Sequence, residues 1–152
     1  MKKKSHWKPV WLGGLIAGAL DLTDPIVFYG LRGVKPIRIP QSIASGLIGA
    51  RAFRGGWHAA ALGVALHFLI ALTWAAVFCF AARRIPFLAR HWVICGLLYG
   101  GVIYLFMNRV VLPLSQVAKG APPQGAVLVN GVLAVVILVG LPIAWAANRY
   151  QS

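Results

Sequence analysis

The sequence predicts an all-α protein: a four-span transmembrane helical bundle with a short interfacial or re-entrant helix after span one. Three observations predict it. The 152 residues are 60% hydrophobic and only 11% charged, with a mean hydropathy of +0.79, whereas a soluble domain carries about 25% charged residues. The apolar residues fall in four long runs, each near or above the roughly 20 residues that cross a hydrocarbon core as a helix. The 15 lysines and arginines gather at the ends of those runs, where lipid phosphates sit. A single integral domain over residues 1–152 accommodates all of it.

Span one is predicted over about Val10–Leu31, interrupted at Asp24-Pro25. A basic start and an apolar stretch also suit a signal peptide. But Asp21 and Asp24 fall where a cleavage region belongs, without a small-x-small site, so a retained span is expected. The next segment, Gln41–Arg54, is too short to cross. Ile39, Ile43, Leu47 and Ala50 recur there at helical spacing, Gln41, Ser42 and Ser45 lie on another side, and Pro40 suits a first turn. This segment is the predicted interfacial or re-entrant helix. Span two, Trp57–Ala82, contains no Lys, Arg, Asp or Glu. Span three covers His91–Leu114 and span four Gly125–Ala147. Trp7, Trp11, Trp57, Trp92 and Trp145 fall near span ends, as interfacial aromatic residues do. Gly14 and Gly18, and Gly96 and Gly100, form small-xxx-small pairs that let helix backbones approach in lipid. Trp11–Gly18 faintly echoes Trp92–Gly100, which a duplicated hairpin and chance explain about equally.

The formal net charge of +13 admits two kinds of partner, nucleic acid and an anionic membrane surface. The placement of Arg32, Lys35, Arg38, Arg51, Arg54, Arg83, Arg84 and Arg90 beside apolar runs favours lipid head groups and argues against nucleic acid. With both termini on one side, that side carries eight basic residues and the other seven. The Lys2–Lys4 cluster before span one favours cytoplasmic termini.

Asp21 and Asp24 are the only acidic residues, and an acid inside a membrane segment normally has a partner or a function. Depth follows from a rise of about 1.5 Å per residue and from alternating span direction. Asp21 lies ten residues past Trp11 and His67 ten past Trp57, so both sit about 15 Å deep. A carboxylate and an imidazole at one level can pair or share a proton. Asp24, Asn108, Arg109 and Asn130 form a second layer nearer the other face. The structural reading is a satisfied network with Asp24 on Arg109 or Arg32 and both asparagines bridging helices, or Arg109 snorkelling to the interface. The functional reading is a proton or cation pathway. Pro25 frees backbone carbonyls and Thr23 adds an oxygen, and broken helices bearing acids line ion sites in transporters.

Other chemistries find little support. His58 and His67 are nine residues apart, about 180° around a helix, so they cannot clasp one haem; a single axial ligand from His67 is what remains of that reading. Cys79 and Cys95 are isolated, with no CxxC. GxSxG, HExxH and P-loop motifs are absent, and His91 beside Arg90 has no carboxylate near it in sequence for lipid-phosphate chemistry. No enzyme, metal or cofactor is expected.

From His67-Phe68 through Arg84-Ile-Pro-Phe, Trp92-Val-Ile-Cys-Gly-Leu-Leu-Tyr-Gly-Gly and Leu112-Pro-Leu, about half of the chain resembles the YagU-like group of small bacterial inner-membrane proteins. The resemblance implies a bacterial cytoplasmic membrane and no activity. The acidic pair and the Arg32–Arg54 loop lie outside it. The expected function is non-catalytic, through assembly as a homo-oligomer or as an accessory subunit of a larger membrane complex. The alternative is a small proton or cation conduit built on Asp21, Asp24 and His67.

Overall fold

A computed structural model describes residues 7–117 and 122–151; Lys2–Lys4 and Lys119 lie outside the described residues. The architecture is the predicted all-α four-span bundle. The spans are α1 (Lys8–Gly30), α3 (Gly56–Arg84), α5 (Trp92–Leu114) and α6 (Gly125–Tyr150). Between α1 and α3 lies α2 (Arg38–Ile48), followed by a tight 3₁₀ stretch, Gly49–Arg54. A single turn, α4 (Pro86–Arg90), links α3 to α5.

Two local expectations need correction. The first span is not interrupted at Asp24-Pro25: α1 runs through Pro25 to Gly30. Proline removes one N–H and crowds the carbonyl four residues back, yet apolar surroundings strongly favour keeping every other backbone bond helical. The second concerns the predicted 41–54 helix. It starts earlier, at Arg38, and ends at Ile48, because Gly49 adopts φ +64°, a positive-φ backbone that glycine takes readily and that an α-helix cannot continue through. The remaining residues to Arg54 wind as 3₁₀.

Helix packing is built on small residues, as expected where lipid tails offer no hydrophobic penalty to separation. Gly14 and Gly18 face Leu72 and Phe68 of α3. Gly96 and Gly100 face α6, where a Cβ on Gly100 would lie 2.5 Å from the Val136 Cα. Gly140 abuts the Gly96 carbonyl so closely that no side chain fits between them. Each echoing segment thus packs its glycines on the following span. The half of the bundle that carries the termini has a filled core, in which Ala75, Ile143, Ala144 and Ala147 are fully buried with Phe78 and Cys79 beside them. On that face α4 is tied to α6 by the Asn148 Nδ2–H, which donates to the Ala89 carbonyl at 2.9 Å.

The other half is organised around α2. Pro40, Gln41, Ala44 and Ser45 are buried, so α2 packs into the bundle rather than only resting on a membrane surface. The Pro40 carbonyl seats on Gly63 of α3, where a Cβ would collide with it. Gly63 lies seven residues into α3, about 10 Å along the span, which favours the re-entrant form of the prediction. Gln41 Nε2–H donates to the Gly56 carbonyl at 3.1 Å. The loop after α5 straps the other end of α2. There the Gln116 N–H donates to the Gly46 carbonyl at 2.9 Å and its Nε2–H to the Leu47 carbonyl at 2.8 Å.

Two wide π-helical stretches interrupt the spans, Met107–Val111 in α5 and Ala134–Gly140 in α6. Each is followed at its second residue by a proline, Pro113 and Pro142. A proline deprives the carbonyl four residues back of its donor, and a wider turn re-pairs the backbone locally.

Candidate functional site

The level shared by Asp21 and His67 holds. Gly18 has no side chain, so α3 approaches α1 closely there, and His67 Nε2–H donates to the Gly18 carbonyl at 2.8 Å. Asp21 Oδ2 lies 4.0 Å from the same nitrogen. The acid and the imidazole are therefore neighbours but do not share a hydrogen bond. A shift of about an ångström in the ring or the carboxylate moves the Nε2–H from one acceptor to the other, within hydrogen-bonding range.

Two cavities meet at this pair. The larger, about 510 Å³, is walled by α1, α2, α3, α5 and α6. Its lining is mostly apolar, with Leu66, Ile70, Trp74, Met107 and Val139 among it, and Asp21, His67, Ser42 and Ser115 supply the polar atoms. The smaller, about 320 Å³, lies toward the α2 face and contains Asp24, Tyr29 and Asn130. Asp21, Ser42, Ile43, His67 and Val135 line both, so the acid and imidazole stand at the junction. Pro25 has no N–H to offer the Asp21 carbonyl four residues before it, which adds a backbone oxygen at this position.

The second predicted layer forms only in part. Asn130 Nδ2–H donates to Asp24 Oδ2 at 2.7 Å, linking α6 to α1. Arg109 is exposed on α5 and makes no ion pair with Asp24; with a long side chain on the bundle's outer surface, it is placed to snorkel. Arg32 is no partner of Asp24 either. Its Nη1–H donates to the Phe28 carbonyl at 2.9 Å and its guanidinium lies 3.7 Å from the Phe28 ring centroid. Asn108 does not bridge helices: its Nδ2–H donates within α5 to the Tyr104 carbonyl at 2.9 Å. Thr23 contributes nothing to the junction, since its hydroxyl donates to the Ala19 carbonyl at 2.7 Å.

Arg32, Lys35, Arg38, Arg51 and Arg54 are exposed around the α2 face, and Arg83, Arg84 and Arg90 around the other. Cys79 and Cys95 are buried in one core cluster and are not in a disulfide. His58 is exposed. Among the described residues, no three of His, Cys, Asp and Glu group closely enough to hold a metal ion.

Toward the termini, both cavities end at the filled core. Neither cavity is lined by a residue of α1 before Ala17, of α3 beyond Trp74, or of α6 beyond Val139. The Trp74 ring packs edge-on against Tyr99 and Phe106, and Tyr99 Oη–H donates to the Trp74 carbonyl at 2.7 Å. From Trp74 to Arg84 is ten residues, about 15 Å of bundle, and that stretch runs along the filled core.

Sequence reasoning missed the part α2 plays in the site, through Ser42 and Ile43, and both π stretches, whose Met107, Val111, Val135 and Val139 line the larger cavity. The available signal was the pair of late prolines, Pro113 and Pro142.

No family model, curated protein or solved structure matches the chain. What the fold and site define is a class, the multi-pass membrane proteins, with four apolar helices of crossing length and a cavity at their centre. The likeness to the YagU-like group rests on the residues quoted for it above.

Proposed function

We propose that the protein is a small transporter of a proton or monovalent cation in a bacterial inner membrane, working through Asp21 and His67. The observation that carries this reading is the junction: the chain's most deeply placed acid and an imidazole stand where two cavities meet. A half-buried ionisable pair of this kind in a span is costly to keep without use. Both cavities end at the filled core, which suits a carrier, whose site is exposed to one face at a time. Asp24, held by Asn130, serves as a structural tie beside the path.

An assembly role is what the sequence favoured first, and its positive support was close helix packing. Gly14, Gly18, Gly96 and Gly100 all meet neighbours within the same bundle, so these pairs offer no surface to a second copy. That moves the balance toward the conduit. The exposed arginines on both faces suit contact with anionic head groups in either case.

The test is proton flux into liposomes loaded with a pH-sensitive dye, driven by a potassium diffusion potential. The purified protein should accelerate acidification over empty liposomes, and Asp21→Asn should remove about nine-tenths of that increment or more. Equal rates for wild type, Asp21→Asn and empty liposomes would sink the reading.

A further inference from the structure

We infer that the larger cavity binds a lipophilic organic cation and exchanges it for a proton at Asp21; this rests on the transport reading above and names its substrate class. A proton alone needs a chain of polar groups or waters. The cavity offers instead about 510 Å³ of mostly apolar wall with few polar groups, Asp21, His67, Ser42 and Ser115. That combination is typical of a pocket for a drug-sized molecule, in which apolar walls bind the body and a few polar atoms orient the head.

The dimensions fit a compact body. The α3 lining runs from Leu66 to Trp74, eight residues or about 12 Å. Asp21 and His67 stand toward one end of it and the Trp74 indole at the other, and an aromatic wall attracts a cationic centre as well as an apolar surface.

The sign of the substrate charge follows from what faces Asp21. The titratable groups around it are His67 from α3, and Asp24 and Tyr29 from its own helix. The segments α2, α5 and α6, with the loop after α5, contribute Ser42, Ser115 and Asn130, none of them charged. The fixed basic residues of the α2 face, Arg32, Lys35, Arg38, Arg51 and Arg54, line neither cavity. An anion would meet a carboxylate with no arginine or lysine to offset it. A cation meets the carboxylate in a low-dielectric wall, where the attraction is strong.

The exchange balances in charge. A protonated Asp21 gives up its proton as the cation arrives and becomes a carboxylate paired with it. One proton leaves for each singly charged cation bound, and the reverse step releases the cation; with no cation present, Asp21 cycles its proton alone, which is the flux that the liposome test reads. The basic rim opposes an aqueous approach by a cation. Leu47 of α2 and Leu112 of α5 are the most exposed of the apolar lining residues. They place the mouth of the cavity at the α2–α5 edge, where an amphipathic cation partitioned in lipid arrives from the side.

The experiment uses two ions of one shape and opposite charge, tetraphenylphosphonium and tetraphenylborate, in equilibrium binding to the purified full-length protein. Wild type should bind the phosphonium and release one proton per ion into weakly buffered solution, and should bind the borate at least about tenfold more weakly. Asp21→Asn keeps side-chain size and should lose the phosphonium preference. Ile70→Trp fills the larger cavity from a half-buried position and should lower phosphonium affinity. Equal affinity for the two ions, or phosphonium binding with no proton release, overturns the inference by reducing the site to an apolar hole. Absent phosphonium binding together with intact Asp21-dependent flux overturns the substrate class and leaves the transport reading standing. Loss of both in wild type overturns both.

Discussion

Asp21 and Asp24 stand almost one helical turn apart, on sides of α1 close enough to share a cavity, and they meet different chemistry. Asp24 receives a short hydrogen bond from Asn130, a neutral donor locked to it from another helix. Asp21 has an imidazole nitrogen at 4.0 Å that already donates elsewhere. A bond between a charged and a neutral group contributes about 1.5–3 kcal/mol. Asn130→Ala should therefore lower stability by about 2 kcal/mol through the unpaired acid it leaves, and Asp24→Asn by less. Unfolding in mixed micelles measures both. If Asn130→Ala unfolds at the wild-type midpoint, the tie contributes nothing. How far these roles were legible is instructive. Counting residues gives depth, and depth alone brought Asp21 and His67 to one level. It does not give azimuth. Arg109 shares a level with Asp24 but points off the bundle, and Asn108 turns back on its own helix.

At the scale of elements, the long apolar runs made the four spans readable to within a few residues at each end, and helical periodicity exposed α2. What periodicity cannot report is winding. The 3₁₀ stretch Gly49–Arg54 follows from one glycine with positive φ, and the π stretches come from prolines whose effect on the preceding turn depends on packing. The close approach of Gly140 to the Gly96 backbone sets the separation of α5 and α6. A larger residue there forces the helices apart, and overpacking of a filled site costs about 1–3 kcal/mol and sometimes more. Gly140→Leu should cost at least that much, whereas Gly101→Leu, with open space around the glycine, should be close to neutral. A matched pair of denaturation curves tests the contrast, and equal losses would contradict the packing.

The whole molecule divides across its middle. Toward the termini it is a solid bundle; toward α2 it is hollow. The division has an accessible consequence for thiol chemistry. Cys79 and Cys95 are 1% and 7% exposed in the solid half, while Ser42 lines both cavities in the hollow half. In a background with both native cysteines replaced by alanine, Ser42→Cys should react with a small membrane-permeant maleimide at least about tenfold faster than the native thiols do in wild type, because thiolate reactivity follows access. Reaction at the wild-type rate would mean that the cavities are closed. Charge at this scale was readable from the sequence and is nearly symmetric, eight basic residues against seven. The hollow was not readable, because it arises where five segments fail to fill the space between them, and no single segment carries that information.

The π stretches give the bundle mechanical slack. A wide turn holds one residue more than an ordinary one, like a coil wound with a spare loop. If the Ala134–Gly140 stretch tightened to α-helical winding, everything before it in α6 would rotate by about 100° relative to everything after it. Asn130 would swing away from Asp24, and Val135 would leave the wall that it forms in both cavities. The glycine contact at Gly140 would stay in place as the fixed end of the spring. Loss of the hydrogen bond between Asn130 and Asp24 would accompany any such change of winding.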